Sequence, residues 1–134
     1  MGYSLYFQIF LNRECGTTPY GEVIAILSKF GNVWEGEGRI EFTPDANDIC
    51  EVGFITRKRE DGVSGISLVR PQKGWRLPAL IFDLLSIPGL CFYELDCTYV
   101  LARSDVTEHV PKKLLDLCPD RRVTVITSPY EISL

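Results

Sequence analysis

One histidine, His109, and one methionine are all that the 134 residues hold of those types, and the five cysteines form no Cys-x-x-Cys pair. Zinc sites draw their ligands from Cys and His at short, fixed spacings, so no metal set is readable and no cofactor is implied. Cys15, Cys50, Cys91, Cys97 and Cys118 are odd in number and widely spaced, and read as reduced thiols packed as small hydrophobes. Long apolar runs are missing too. The greasiest stretch, Leu77 to Leu90, is broken by Pro78, Asp83, Ser86, Pro88 and Gly89, whereas a membrane span needs roughly 18 to 20 uninterrupted apolar residues. Met1 to Tyr6 lacks the charged, apolar and small-residue zones of a signal peptide, which points to the cytoplasm. There is no cationic excess: 14 Lys and Arg stand against 18 Asp and Glu, a net charge of −4 that argues against nucleic acid or an anionic membrane and favours a basic partner. Repeats, low-complexity segments and Gly-Ser or Pro-rich linkers are absent as well, so residues 1–134 read as one domain.

What is present is ordinary globular composition, 46% hydrophobic and 24% charged. Tyr3, Leu5, Phe7, Ile9 and Leu11 alternate with Ser4, Tyr6, Gln8 and Phe10, the period of two that marks a strand. Thr17-Thr18-Pro19 offers capping hydroxyls and a first-turn proline to a helix from Pro19 to Phe30, whose apolar positions recur at three- and four-residue spacing until Gly31. Trp34 to Phe42 reads as a half-exposed strand weakened by Gly36 and Gly38. Ile49 to Arg57 and Val63 to Arg70 flank Asp61-Gly62, a strong hairpin signal. Leu77, Leu80, Ile81, Leu84 and Leu85 stripe a second helix from Trp75 to Ile87. Cys91 to Arg103 reads as one long strand, Lys112 to Cys118 as a short helix and Arg121 to Thr127 as a last strand. The order is β-α-β-β-β-α-β-α-β. It predicts an α+β fold in which a mainly antiparallel sheet carries two long helices on one face, with a ferredoxin-like variant among its versions. An edge strand such as Tyr3 to Leu11 is a candidate for pairing two copies, so the chain is a monomer or an edge-paired homodimer.

Catalytic constellations are thin. His109 sits in Asp105-Val106-Thr107-Glu108-His109-Val110-Pro111, a solvated helix entrance with no local nucleophile motif. Glu94 and Asp96, like Glu35, Glu37 and Glu41, lie on water-facing rows rather than in the dry pocket that would raise a carboxyl pKa for acid–base work. Gly36-x-Gly38 and Gly62-x-x-Gly65 lack the strand-to-helix setting and the Lys of a phosphate loop. An aromatic-lined pocket for a small molecule, walled by Tyr3, Tyr6, Phe54, Phe92, Tyr93 or Tyr99, is an alternative; a Cys-His or carboxylate enzyme is a weaker one.

Charge segregation is the most informative feature. Glu35, Glu37, Glu41, Asp45, Asp48 and Glu51 enclose a single base, Arg39, whereas Arg57, Lys58, Arg59, Arg70, Lys73 and Arg76 enclose only Glu60 and Asp61. A concentrated acidic patch speeds and selects the docking of a basic protein, and Trp34 beside the acids supplies an aromatic anchor. Trp75 stands beside the bases in the same way. The predicted partner-binding set is Trp34, Glu35, Glu37, Glu41, Asp45, Asp48 and Glu51. In size, acidity and α+β patterning, though in no motif residue, the chain is similar to the bacterial immunity proteins of toxin–antitoxin and contact-dependent inhibition systems. That likeness implies a non-enzymatic inhibitor presenting carboxylates where a toxin nuclease would bind phosphates.

Overall fold

A computed structural model describes residues 4–36, 39–45, 48–55, 62–69, 77–93 and 99–132, of which positions 4, 39, 40, 44, 45, 48–51, 54 and 55 are described by their backbone alone. The chain runs β1 (Ser4–Leu11), β2 (Glu14–Cys15), α1 (Tyr20–Ser28), β3 (Asn32–Gly36), β4 (Arg39–Asp45), β5 (Asp48–Ile55) and β6 (Gly65–Val69). It continues through α2 (Leu77–Leu84), β7 (Leu90–Tyr93), β8 (Val100–Ala102), α3 (Lys112–Leu115) and β9 (Thr124–Val125), with single 3-10 turns at Thr107–His109 and Pro129–Glu131. The fold is α+β. One sheet runs β3-β4-β5-β6-β1-β7-β8-β9, with β2 paired to the end of β1. Its pairings are antiparallel apart from β8 with β9.

Alternation in β1 does what it predicts: Leu5, Phe7 and Ile9 are buried beneath the helices, and Tyr6, Gln8 and Phe10 turn to the other face. The expectation of an exposed edge fails for this strand. Phe7 pairs with Ile66 on one side and Phe92 on the other, so β1 is central and the edges are β3 and β9. A strand with one fully apolar row, and with Gln8 and Phe10 of the other row buried too, is better placed between neighbours than left at a rim. From β6 the chain crosses β1 through α2 to reach β7, a split β-α-β unit of the ferredoxin-like kind.

Both long helices lie on one face. Val23, Ile26 and Leu27 of α1 and Leu77, Leu80, Ile81 and Leu84 of α2 share a core with Leu5, Phe7, Ile9, Ile66, Leu68 and Phe92. Pro19, rather than a threonine, occupies the cap of α1, and no side chain caps it. Thr18 instead exchanges backbone hydrogen bonds of 2.8 and 2.9 Å with Val63. Gly62 makes that bridge feasible, because its φ is +93° and a Cβ there would stand 2.5 Å from the Thr18 carbonyl oxygen.

Three expected strands are revised. Residues 34–42 hold not one strand but the two arms of a hairpin, with Trp34 opposite Glu41 and Gly36 opposite Arg39. Gly36, one of the glycines that seemed to weaken the strand, is the last residue of β3, and Gly38 lies outside the described residues. Residues 91–103 likewise divide into β7 and β8, which pair Phe92 with Leu101 and Tyr93 with Val100. Of the final strand only Thr124–Val125 remains, parallel to β8. Around β7 and β8 the sheet is covered on both faces, since Phe10, Cys91, Val100 and Ala102 pack against Val110, Leu115, Cys118 and Val123. Positions 56–61, 70–76 and 94–98, and with them Trp75, the six bases of the basic block, and Glu94, Asp96 and Cys97, lie outside the described residues.

Candidate docking face on the outer strands

Residues directly opposite in an antiparallel pair share a face. The β3–β4 register therefore places Trp34 and Glu41 on the face away from the helices, and Glu35, opposite Ile40, on the helix side. Glu35 confirms this by accepting a 2.7 Å hydrogen bond from the Tyr20 hydroxyl of α1. The hairpin thus divides the acidic row: Glu35 and Glu41 do not form one patch. Glu41 is opposite Glu51 across the β4–β5 pair, and Asp45 is opposite Asp48 at the turn. The side chains at 45, 48 and 51 are outside the description, as is the whole of Glu37.

Trp34 stands on the outermost strand with 46% of its surface exposed. Its indole lies along its own strand over Gly36, where a Cβ would come within 2.8 Å of the ring. Gly36 is therefore a platform for the tryptophan. Further across this outer face Tyr6 and Tyr93 stack with centroids 6.2 Å apart, both half-buried. An amphipathic aromatic on an outer strand beside a carboxylate offers apolar area and charge together.

The remaining candidates take other roles. His109 Nδ1 accepts the Asn12 amide at 3.0 Å, so the lone pair a general base would use is already committed and the ring proton belongs on Nε2. Arg13 Nη1 donates to the carbonyls of Thr107 at 3.0 Å and Val110 at 2.7 Å. Together these bonds pin the tight β1–β2 turn to the 107–110 segment. Sequence reading missed this contact, although Asn12 in a two-residue connection was a signal for a left-handed hairpin turn. Asn12 and Arg13 have φ of 54° and 70°.

Among the thiols, Cys15 is exposed while Cys91 and Cys118 are buried. Burial pushes the Cys91 thiol up to about 12, the reverse of what a nucleophile requires. The side chain of Cys50 is not described. Asp105 is held below the usual carboxylate range by the Thr107 hydroxyl and amide, with Arg122 at 3.6 Å adding to the effect. Phe92 packs on Phe7 inside the core at 5.2 Å, and Tyr99 lies partly buried against the same core. Neither the cleft of about 350 Å³ beside Arg103 nor one of about 270 Å³ beside Arg13 is lined by an aromatic named for the small-molecule pocket. Tyr3 and the Phe54 side chain are outside the description. Among the described residues no group of three or more His, Cys, Asp or Glu is placed to hold a metal, and no helix is long and apolar enough to cross a membrane.

No protein-family model, curated protein or solved structure matches the chain.

Proposed function

We propose that this is a protein-binding domain without catalytic activity, which holds a basic partner against the outer face of β3 and β4. Trp34 is the anchor and Glu41 the steering charge. The observation that carries the reading is Trp34 itself: a large aromatic, 46% exposed, spread on an edge strand opposite a carboxylate. Binding hot spots favour such side chains, and a neighbouring acid selects partners of opposite charge. An immunity-type inhibitor seated on a basic toxin nuclease is the concrete form of this proposal. The divided acidic row narrows its surface to Trp34, Glu41 and the positions of β5 beyond them; Glu35 is excluded.

The test is affinity capture from host lysate at low and moderate salt, repeated with Trp34→Ala and Glu41→Lys. A stoichiometric basic protein lost with both variants, and retained less well as salt rises, is the expected result. A clean bait, or capture indifferent to both substitutions, would overturn the reading.

A further inference from the structure

A second surface, sharing no residue with the Trp34 face, has the chemistry of an anion site. The cleft of about 270 Å³ is lined by Arg13, Thr107, Lys112, Leu115, Asp116 and Arg121. Two regions far apart in sequence meet there: the β1–β2 turn brings Arg13, while α3 and the loop after it bring Lys112 and Arg121. Leu115, buried, forms an apolar floor.

Two observations make this more than a chance meeting of surface cations. First, the cations are not neutralised by the protein. The side chains of Lys112 and Arg121 enter no hydrogen bond or ion pair among the described residues, although Asp116 lines the same cleft. Arg13 spends only Nη1, on the Thr107 and Val110 carbonyls, which fixes the guanidinium and leaves Nη2 and Nε as donors. Thr107 is already occupied, its hydroxyl donating to Asp105 at 2.6 Å and accepting the Val123 amide at 3.1 Å. Second, the backbone is strained here. The described residues include three non-glycine positions with left-handed φ, and two of them, Arg13 at 70° and Arg121 at 53°, line this one cleft. At Arg13 the left-handed φ belongs to the two-residue β1–β2 turn that its guanidinium also pins; at Arg121 glycine or asparagine would adopt the conformation more easily, and no bond among the described residues uses its guanidinium.

We infer that the Arg13–Lys112–Arg121 cleft binds the phosphoryl group of a small phosphate monoester. Two planar guanidinium forks and an ammonium match a dianion with three free oxygens better than a planar carboxylate. The volume lies just under the usual range of roughly 300 to 1,000 Å³ for ligand pockets, which admits a phosphate and a small body. Asp116 repels a bare anion and accepts a hydrogen bond from a hydroxyl, so it favours a ligand that carries a hydroxyl near its phosphate.

Isothermal titration at constant ionic strength tests this with two probes, inorganic phosphate and glycerol 3-phosphate, and with sodium chloride as the control. Lys112→Gln and Arg121→Asn are the variants; both side chains are exposed and unbonded, and asparagine accepts a left-handed φ. Saturable binding of glycerol 3-phosphate, at least tenfold weaker in each variant, is expected. Tighter binding of the monoester than of inorganic phosphate supports the hydroxyl role of Asp116, and Asp116→Asn then changes only that preference. Absence of binding by either probe, or binding unchanged in both variants, overturns the site.

Discussion

The two halves of the sheet are built on different terms. Around β7 and β8 both faces are covered, by the long helices on one side and by residues 110–123 on the other, and three consecutive residues of each strand are buried. In β3 the pattern is that of a rim, with Asn32, Trp34 and Glu35 exposed. A doubly covered strand is held by its packing, so its side chains are fixed by volume. An outer strand is held by its ladder and by one face, which leaves its other face available for recognition.

The largest effect follows from that contrast. Phe92→Ala opens a cavity in the doubly covered half and is expected to cost ~3–5 kcal/mol in urea denaturation, against roughly 1 kcal/mol for Trp34→Ala. Comparable losses from both would abolish the distinction.

A pH series sharpens it from within the covered half. The Cys91 thiol is raised from an ordinary value near 9 to about 12 by burial, so the unfolded chain releases this proton well before the folded one. The contribution is complete below pH 9 and is lost as pH rises toward 12, at about 1.4 kcal/mol per pH unit. The measurement is the difference in unfolding free energy between the native chain and Cys91→Ala at pH 8 and pH 10. Parallel pH dependences would mean that water reaches Cys91.

The smallest effect belongs to the rim. Gly36→Ala is expected to move stability by less than ~1 kcal/mol, because the gain from replacing a strand glycine offsets the displaced ring. In a Trp75→Phe background the Trp34 emission should nevertheless shift to longer wavelength. An unmoved spectrum would mean that the indole does not rest on Gly36.

The same contrast explains what was legible in the sequence. β1, α1, α2 and the β5–β6 hairpin were readable because one face of each is apolar and the other differs from it. Alternation does not report a reversal, however. Trp34 to Phe42 kept its polar and apolar rhythm through the β3–β4 turn, which is why Glu35 and Glu41 were assigned to one row although the hairpin sends them to opposite faces. Between Cys91 and Arg103 both rows are largely apolar at the ends, so a strand pair with two buried faces resembled one long strand. Of the docking set, Trp34 was legible as an aromatic among acids. Its seat on Gly36 was not, since that depends on a side chain lying along its own strand. The Arg13 cleft was invisible because its three cations are brought together only by tertiary contacts.

The central position of β1 also has a consequence for how the chain acquires its shape. Both partners of Phe7, Ile66 and Phe92, lie far downstream, so during synthesis only the last two residues of this strand, paired with β2, have a mate until β6 has been made. At about 5–20 residues per second that interval lasts on the order of several seconds, long compared with hydrophobic collapse. The nascent chain thus carries a strand whose Leu5, Phe7 and Ile9 row lacks its cover for that interval, and cellular folding yield should depend on how β1 is shielded while it waits.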